Sequence, residues 1–262
     1  MFKPRPLRDV DAFHYMHLAK MLEGSTGTFL SGSTMVQPSR EELDLREADF
    51  DFHALADAYG DPRAINILSD RFGVPASEIT MTAGSSEANA LLYQALLEPG
   101  DEVIAECPGY EVFWLLPKLY HASVKLLPRR ESRDFVPDIE ELKALLGPKT
   151  RLLVLTDLHN PTNAKIPADA LKAIIKLCAE NGTWVLVDEV YLDHLEAGTH
   201  DRTSYHYGEN VIVTSSLTKV YGLGVLRCGW CFAPEELSAR LLELIDLTTV
   251  CMPAISMNLG VR

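Results

Sequence analysis

The feature that most restricts what this chain can become is a rhythm beginning near residue 79. Short β-branched, apolar runs alternate there with longer stretches whose apolar residues recur every three or four positions. Such alternation marks an α/β domain with a mostly parallel sheet, because a strand must return through a crossover before a parallel neighbour can pair with it. The pattern predicts strands over 79–82, 102–106, 123–127, 152–156, 184–187, 211–214 and 227–232, and covering helices over 86–97, 139–146, 168–180 and 235–247. Punctuation agrees: Pro99-Gly100 and Asn181-Gly182 close helices, while Pro137-Asp138 and Pro234-Glu235 open them. Residues 1–45 lack the rhythm and read as an N-terminal arm with an irregular stretch, Gly24 to Gln37, rich in Gly, Ser and Thr; 46–262 is then the domain.

At 262 residues and 47% hydrophobic, the chain can bury a large core, which excludes global disorder. It has no apolar run near the roughly 18 residues of a membrane-spanning helix and no secretory signal at its start, so a soluble cytoplasmic protein is expected. With 24 basic against 37 acidic residues, the net charge of −13 makes nucleic acid an unfavourable partner. Cys107, Cys178, Cys228, Cys231 and Cys251 are odd in number and scattered, which suits reduced thiols better than a disulfide framework. Cys228-Gly229-Trp230-Cys231 has the spacing of a redox dithiol or half a zinc site. It has no second such pair and sits in a strand pattern, so no metal is expected.

Four segments carry chemistry. Ser215-Ser216-Leu217-Thr218-Lys219 follows a strand and runs into a glycine-rich turn ending at Arg227, an unusual setting for a lysine. The run from Trp184 delivers Asp188 to a strand's C-terminal end, the edge where open α/β sheets bind ligands; a metal ligand or a helix cap are alternatives for that carboxylate. Asn160 occupies a proline-stiffened turn one unit earlier. Gly84-Ser85-Ser86 stands between a strand and a helix, where free backbone N–H groups and the helix dipole suit a phosphate, although a serine there is also a common helix start.

In this order and spacing, from about Tyr59 to Ala233, the segments resemble the class I/II aminotransferases, fold-type I enzymes of the aspartate aminotransferase kind that depend on pyridoxal 5′-phosphate. Lys219 lies 31 residues after Asp188, three after Ser216 and eight before Arg227, as in that family's pattern. The resemblance implies that Lys219 holds the cofactor as an imine and moves the substrate Cα proton. It implies that Asp188 pairs with the pyridinium nitrogen and that Tyr191 and Asn160 donate to the phenolate oxygen. Arg227, Ser216 and the Gly84, Ser85 and Ser86 cradle would hold the phosphate, and Tyr110 would stack on the ring. Tyr59 matches a tyrosine reaching the neighbouring subunit's phosphate, which implies a homodimer.

The implied reaction moves an amino group from an amino acid to a 2-oxo acid. A lyase of the same fold would use the same lysine and aspartate, and a non-catalytic cofactor-binding domain is a further alternative. Asn163 stands where the family has glycine, a position asparagine tolerates. Only 43 residues follow Lys219, without a helix cap or closing element, so the family's C-terminal small domain, with its carboxylate-binding arginine, is expected to be missing from a fragment.

Overall fold

The computed structural model describes residues 11–22, 32–50, 59–195 and 203–262; residues 1–10 of the arm and 23–31 of its irregular stretch lie outside the described residues. Strands β1 (Ile79–Thr82), β2 (Glu102–Cys107), β3 (Ser123–Pro128), β4 (Thr150–Thr156), β5 (Trp184–Asp188), β6 (Val211–Ser216) and β7 (Gly229–Phe232) form one sheet in the order β1-β7-β6-β5-β4-β2-β3. Strands β3, β2, β4, β5 and β6 are mutually parallel, and β7 runs antiparallel to both β1 and β6. Leu152, Leu153, Val154 and Leu155 are all fully buried, as are Val211, Ile212 and Val213. Consecutive residues point to opposite faces of a strand, so both faces of the central sheet are covered.

The helices among the described residues are α1 (His14–Leu22), α2 (Pro62–Phe72), α3 (Ser85–Leu96), α4 (Val112–Leu119), α5 (Ile139–Leu145), α6 (Ala168–Glu180), α7 (Glu235–Leu247) and α8 (Ala254–Gly260), and α2 to α7 supply the cover. In α6 the buried residues Leu171, Ile174, Ile175 and Cys178 recur at three- and four-residue steps, the stripe an amphipathic helix turns to a core. Helix α5 begins where the Asp138 carboxylate accepts the Glu140 N–H at 2.9 Å, and α2 ends at Gly73 in the left-handed region. Helix α3 packs on β6, β7 and α7, which sets its N-terminus over the carboxyl edge of the sheet.

Several features depart from the sequence reading, among them helices α2 and α4, which it did not predict. The arm is partly helical: α1 has no buried residue, so it lacks the core-facing stripe by which periodicity finds helices. The last residues form a short helix, α8, where Arg63 Nη2 donates to Asn258 Oδ1 at 2.6 Å and Arg262 Nε to Asp49 Oδ1 at 2.9 Å. The last strand starts at Gly229 rather than 227, because Arg227 adopts φ +50° and breaks the extended run.

The central strands carry the stability. Leu153→Ala, in the middle of β4, should cost about 2–5 kcal/mol in denaturant unfolding, whereas Leu247→Ala, 79% exposed, should stay within about 0.5 kcal/mol.

Candidate active site

Register assembles the first part of the site. Thr156 of β4 is opposite Asp188 of β5, and Asp188 is opposite Thr214 of β6, so three polar side chains stand in a row near the carboxyl ends of adjacent strands. The Asp188 carboxylate accepts the Val190 N–H at 3.1 Å. Burial pushes its pKa up to about 6, while the Val190 N–H, the Lys219 charge and the Asn89 side chain pull the other way. The group is therefore a carboxylate at neutral pH, with much of its hydration removed.

Beyond β6 the chain turns sharply, and this turn carries Lys219. Leu217 N–H bonds Cys228 O at 3.0 Å, and Leu223 N–H bonds Leu217 O at 3.0 Å, closing the loop at both ends. Lys219 Nζ donates to Ser33 Oγ at 3.0 Å and lies 5.9 Å from the Tyr191 ring centre. Burial lowers the amine's pKa, partly opposed by Tyr15 and Asp188, and a lowered pKa raises the neutral, nucleophilic fraction. Lys219, Asp188, Tyr191, Asn160, Tyr110, Ser85, Ser86 and Arg227 all line one cavity of about 680 Å³. That volume is in the range of small-molecule sites.

The opening turn of α3 forms another wall. Gly84 has φ +81°, and a side chain there would run into the Arg227 guanidinium. Gly229 is needed for a close approach, since a Cβ on it would lie 2.7 Å from Ser85 N. Arg227 Nη2 donates to Ala83 O at 3.0 Å, which places the guanidinium beside the helix N-terminus. Unpaired first-turn N–H groups and a guanidinium together make an anion site.

Two turns complete the walls, and a buried network holds them. Glu106 and Arg129 pair at 2.7 Å with both side chains fully buried. The other Glu106 oxygen accepts the Thr156 N–H at 2.9 Å, and Arg129 Nη1 also donates to Thr156 O at 3.1 Å. His159 sits between Pro108 O, 2.8 Å from Nε2, and Thr162 Oγ1, 2.7 Å from Nδ1. Burial and the Arg129 charge push its pKa down to about 4, so the ring is neutral and bridges the Tyr110 turn to the Asn160 turn. Asn163 takes φ +62°, the left-handed geometry anticipated for it. The Tyr110 ring meets Phe13 at 5.3 Å and Phe113 at 5.6 Å, both edge to face, and its hydroxyl pKa is pushed up to about 12 by burial and then by Asp188.

Three anticipated residues stand off the cavity wall: Gly84, which abuts the Arg227 guanidinium, Ser216 and Tyr59. The Ser216 hydroxyl is buried and accepts the Thr218 N–H at 3.3 Å, and Thr218 supplies the wall there. Tyr59 is 38% exposed and donates to Asp246 on α7 at 2.9 Å. Sequence reasoning missed Tyr15 and Ser33, which reach the cavity from segments without periodicity, and Asn89, whose signal is a polar residue on a buried helix face. Cys228 and Cys231 are buried; burial pushes the Cys228 thiol up to about 11 and Cys231 higher still, the reverse of a reactive dithiol. Among the described residues no cluster of His, Cys, Asp or Glu could hold a metal ion, and no helix is long and apolar enough to cross a membrane.

Known proteins resemble this chain in sequence and fold. The chain is 33% identical over 173 residues to an arginine–pyruvate transaminase of Pseudomonas aeruginosa, covering 65% of this chain and 44% of the relative. It is 31% identical over 211 residues to a capreomycidine synthase of Streptomyces vinaceus, covering 80% and 54%. A crystal structure of a PLP-dependent aminotransferase from Streptococcus suis superposes with a TM-score of 0.85 at 26% identity, covering 97% of this chain and 71% of that one. The chain thus spans about half the length of the curated relatives it matches. Residues 25–259 match the profile of the aminotransferases of class I and II, and the chain belongs to that family.

Proposed function

We propose that this chain binds pyridoxal 5′-phosphate and serves an aminotransferase that moves an amino group from an amino acid to a 2-oxo acid. One observation carries the reading: a desolvated amine, Lys219, shares a cavity with a buried carboxylate, Asp188, and with an anion site at a helix N-terminus. These groups fit the cofactor, with a carboxylate for a basic ring nitrogen, an amine for an aldehyde, and Arg227 with the α3 N-terminus for a phosphate. When bound, the cofactor supplies an aldehyde for covalent attachment and a ring that accepts electrons from the substrate Cα.

Lys219 is the attachment point, and its amine carries the proton to and from the substrate Cα. Asp188 keeps a proton on the ring nitrogen. Tyr191 and Asn160 donate to the ring oxygen, and Tyr110 covers the ring face. Ser85, Ser86, the Gly84 backbone, Ser216 and Arg227 bind the phosphate. Ser216 accepts from Thr218 and keeps its own proton to donate.

Residues 46–262 form the cofactor-binding domain, preceded by an arm over 1–45. The working unit is a homodimer in which the exposed Tyr59 turns to the partner's phosphate, in a cytoplasm that keeps the five cysteines reduced. The similarity to a PLP-dependent cyclase, at a TM-score of 0.83 and 27% identity, supports a second reading, a ring-forming or lyase reaction from the same lysine and aspartate. Pyridoxamine phosphate accumulating on incubation with an amino acid separates transfer from the second reading.

Borohydride reduction of the chain loaded with pyridoxal phosphate should fix the cofactor to the peptide carrying Lys219, and Lys219→Ala should leave that peptide unmodified by mass spectrometry. Asp188 also gives a pH signature. Its folded pKa of about 6 stands above the ordinary 3.8, so its contribution to stability is full below that ordinary value and lost as pH rises through about 6. Asp188→Asn should therefore raise the Tm of the cofactor-free chain at pH about 8, by at most about 3 kcal/mol of stability, with the gain vanishing toward pH about 4.

A further inference from the structure

Asn89 is a polar residue in an apolar place. It stands on the buried face of α3 among Ala88, Leu91, Leu92 and Tyr93, is 1% exposed, and has a role in neither the helix cap nor the cavity wall. Burying an amide costs free energy unless its polar ends are matched, so an unexplained buried asparagine calls for a partner. Half of that partner is present. The Thr214 hydroxyl, on β6, donates to Asn89 Oδ1 at 3.3 Å, which fixes the orientation of the amide and leaves Nδ2 as its other end. Nδ2 is buried and has no hydrogen-bond partner among the described residues.

The register of the sheet says what lies next to it. Thr214 is the direct neighbour of Asp188 across the β5–β6 pair, and Glu189 N–H bonds Thr214 O at 2.8 Å. The amide that Thr214 orients is thus brought beside the Asp188 carboxylate, one oxygen of which is held by Val190 N–H. The Asn89 side chain is among the influences that keep that carboxylate ionised against the cost of burial.

We propose that Asn89 is a positioning residue for Asp188: the Thr214 hydroxyl orients its amide so that Nδ2 backs the carboxylate and keeps it charged for the ring nitrogen of a cofactor. The assignment rests on the cofactor reading above only in its last clause. The charged and titratable groups facing Asp188 are Lys219 from the β6 turn, Tyr93 on α3, Tyr110 from the turn before α4, and Tyr191. None but Lys219 offers it a positive charge. An amide N–H backing the carboxylate stabilises the ionised form, and its loss shifts the equilibrium between carboxylate and carboxylic acid.

The test is a pH titration of the Asp188 side-chain carbon by NMR in the cofactor-free chain labelled with 13C-aspartate, the resonance being assigned by its absence in Asp188→Asn. In Asn89→Leu, close in shape but without polar atoms, the midpoint should rise by about one pH unit. In Thr214→Val, which frees the amide without removing it, the rise should be smaller and in the same direction. In chains loaded with pyridoxal phosphate labelled with 15N in the ring, Asn89→Leu should move the ring nitrogen signal toward its unprotonated position.

A midpoint unchanged in both variants overturns the proposal, even if Asn89→Leu melts earlier, because loss of packing alone does not retitrate Asp188. A raised midpoint with an unmoved ring signal overturns the part that concerns the cofactor. Failure of the unmodified chain to take up pyridoxal phosphate sinks the cofactor reading, while a raised midpoint still upholds the pairing of amide and carboxylate. Should Asn89→Leu fail to fold, Thr214→Val decides alone.

Discussion

A single carboxylate, buried at the end of a parallel strand, organises this molecule. Asp188 is 4% exposed, and a charge so placed is tolerated only where surrounding groups replace the water it has lost. Its surroundings answer from different elements: an N–H from Val190, a cation from the β6 turn, and an amide carried by α3 and oriented by β6. Each answer requires the sheet order seen here, since β5 must lie against β6 and α3 must cross β6 for them to converge. The same desolvation acts on Lys219 in the opposite sense, making its amine more neutral. Burial thus supplies both an acid and an amine with altered proton affinity, which is why perturbed groups gather in functional cavities.

The second buried charge is of another kind. Glu106 and Arg129 neutralise each other inside the protein, and such a pair contributes little net stability compared with well-packed apolar groups. What it does here is geometric. Its hydrogen bonds run to Thr156 on both sides of that peptide unit, while Arg129 N–H bonds Cys107 O at 2.8 Å, so the exits of β2, β3 and β4 are tied at one point. The Tyr110 and Asn160 turns leave the sheet from that point, and His159 joins them again farther out. A hydrophobic replacement could fill the space, but it could not set the angle at which both turns depart.

How much of this was legible beforehand follows from what sequence patterns record. The central strands β4, β5 and β6 were visible because central parallel strands are buried on both faces and read as continuous apolar runs. Lys219, Asp188 and Asn160 were visible because each follows such a run, where the chain must turn toward the carboxyl edge. The start of β7 was misplaced because nothing in a run of residues announces that Arg227 will take a left-handed conformation. Helix α4 escaped notice with Pro117 inside it, and α1 did so because none of its residues is buried in the core. Ser33 and Asn89 were illegible as partners, since their meaning lies in contacts across 186 and 125 residues of sequence.

The arm shows the consequence of that last difference. Among the described residues, its segment 11–22 is attached through contacts that include an ion pair between Lys118 and Asp11 with both side chains about half exposed, a 3.3 Å bond from Tyr15 N–H to Glu111, and the contact of Phe13 with Tyr110, while Ser33 and Met35 are bonded to Lys219 at 3.0 and 2.9 Å. Exposed ion pairs contribute about 0–1 kcal/mol each, far less than the buried strands supply, so segment 11–22 is held by contacts weaker than those that hold the sheet. Yet it carries Phe13, Tyr15, Met16 and Lys20, four of the cavity's lining residues. This wall is fastened at the surface, while the groups that must not move, Asp188 and Lys219, follow strands that cannot slip without exposing the core.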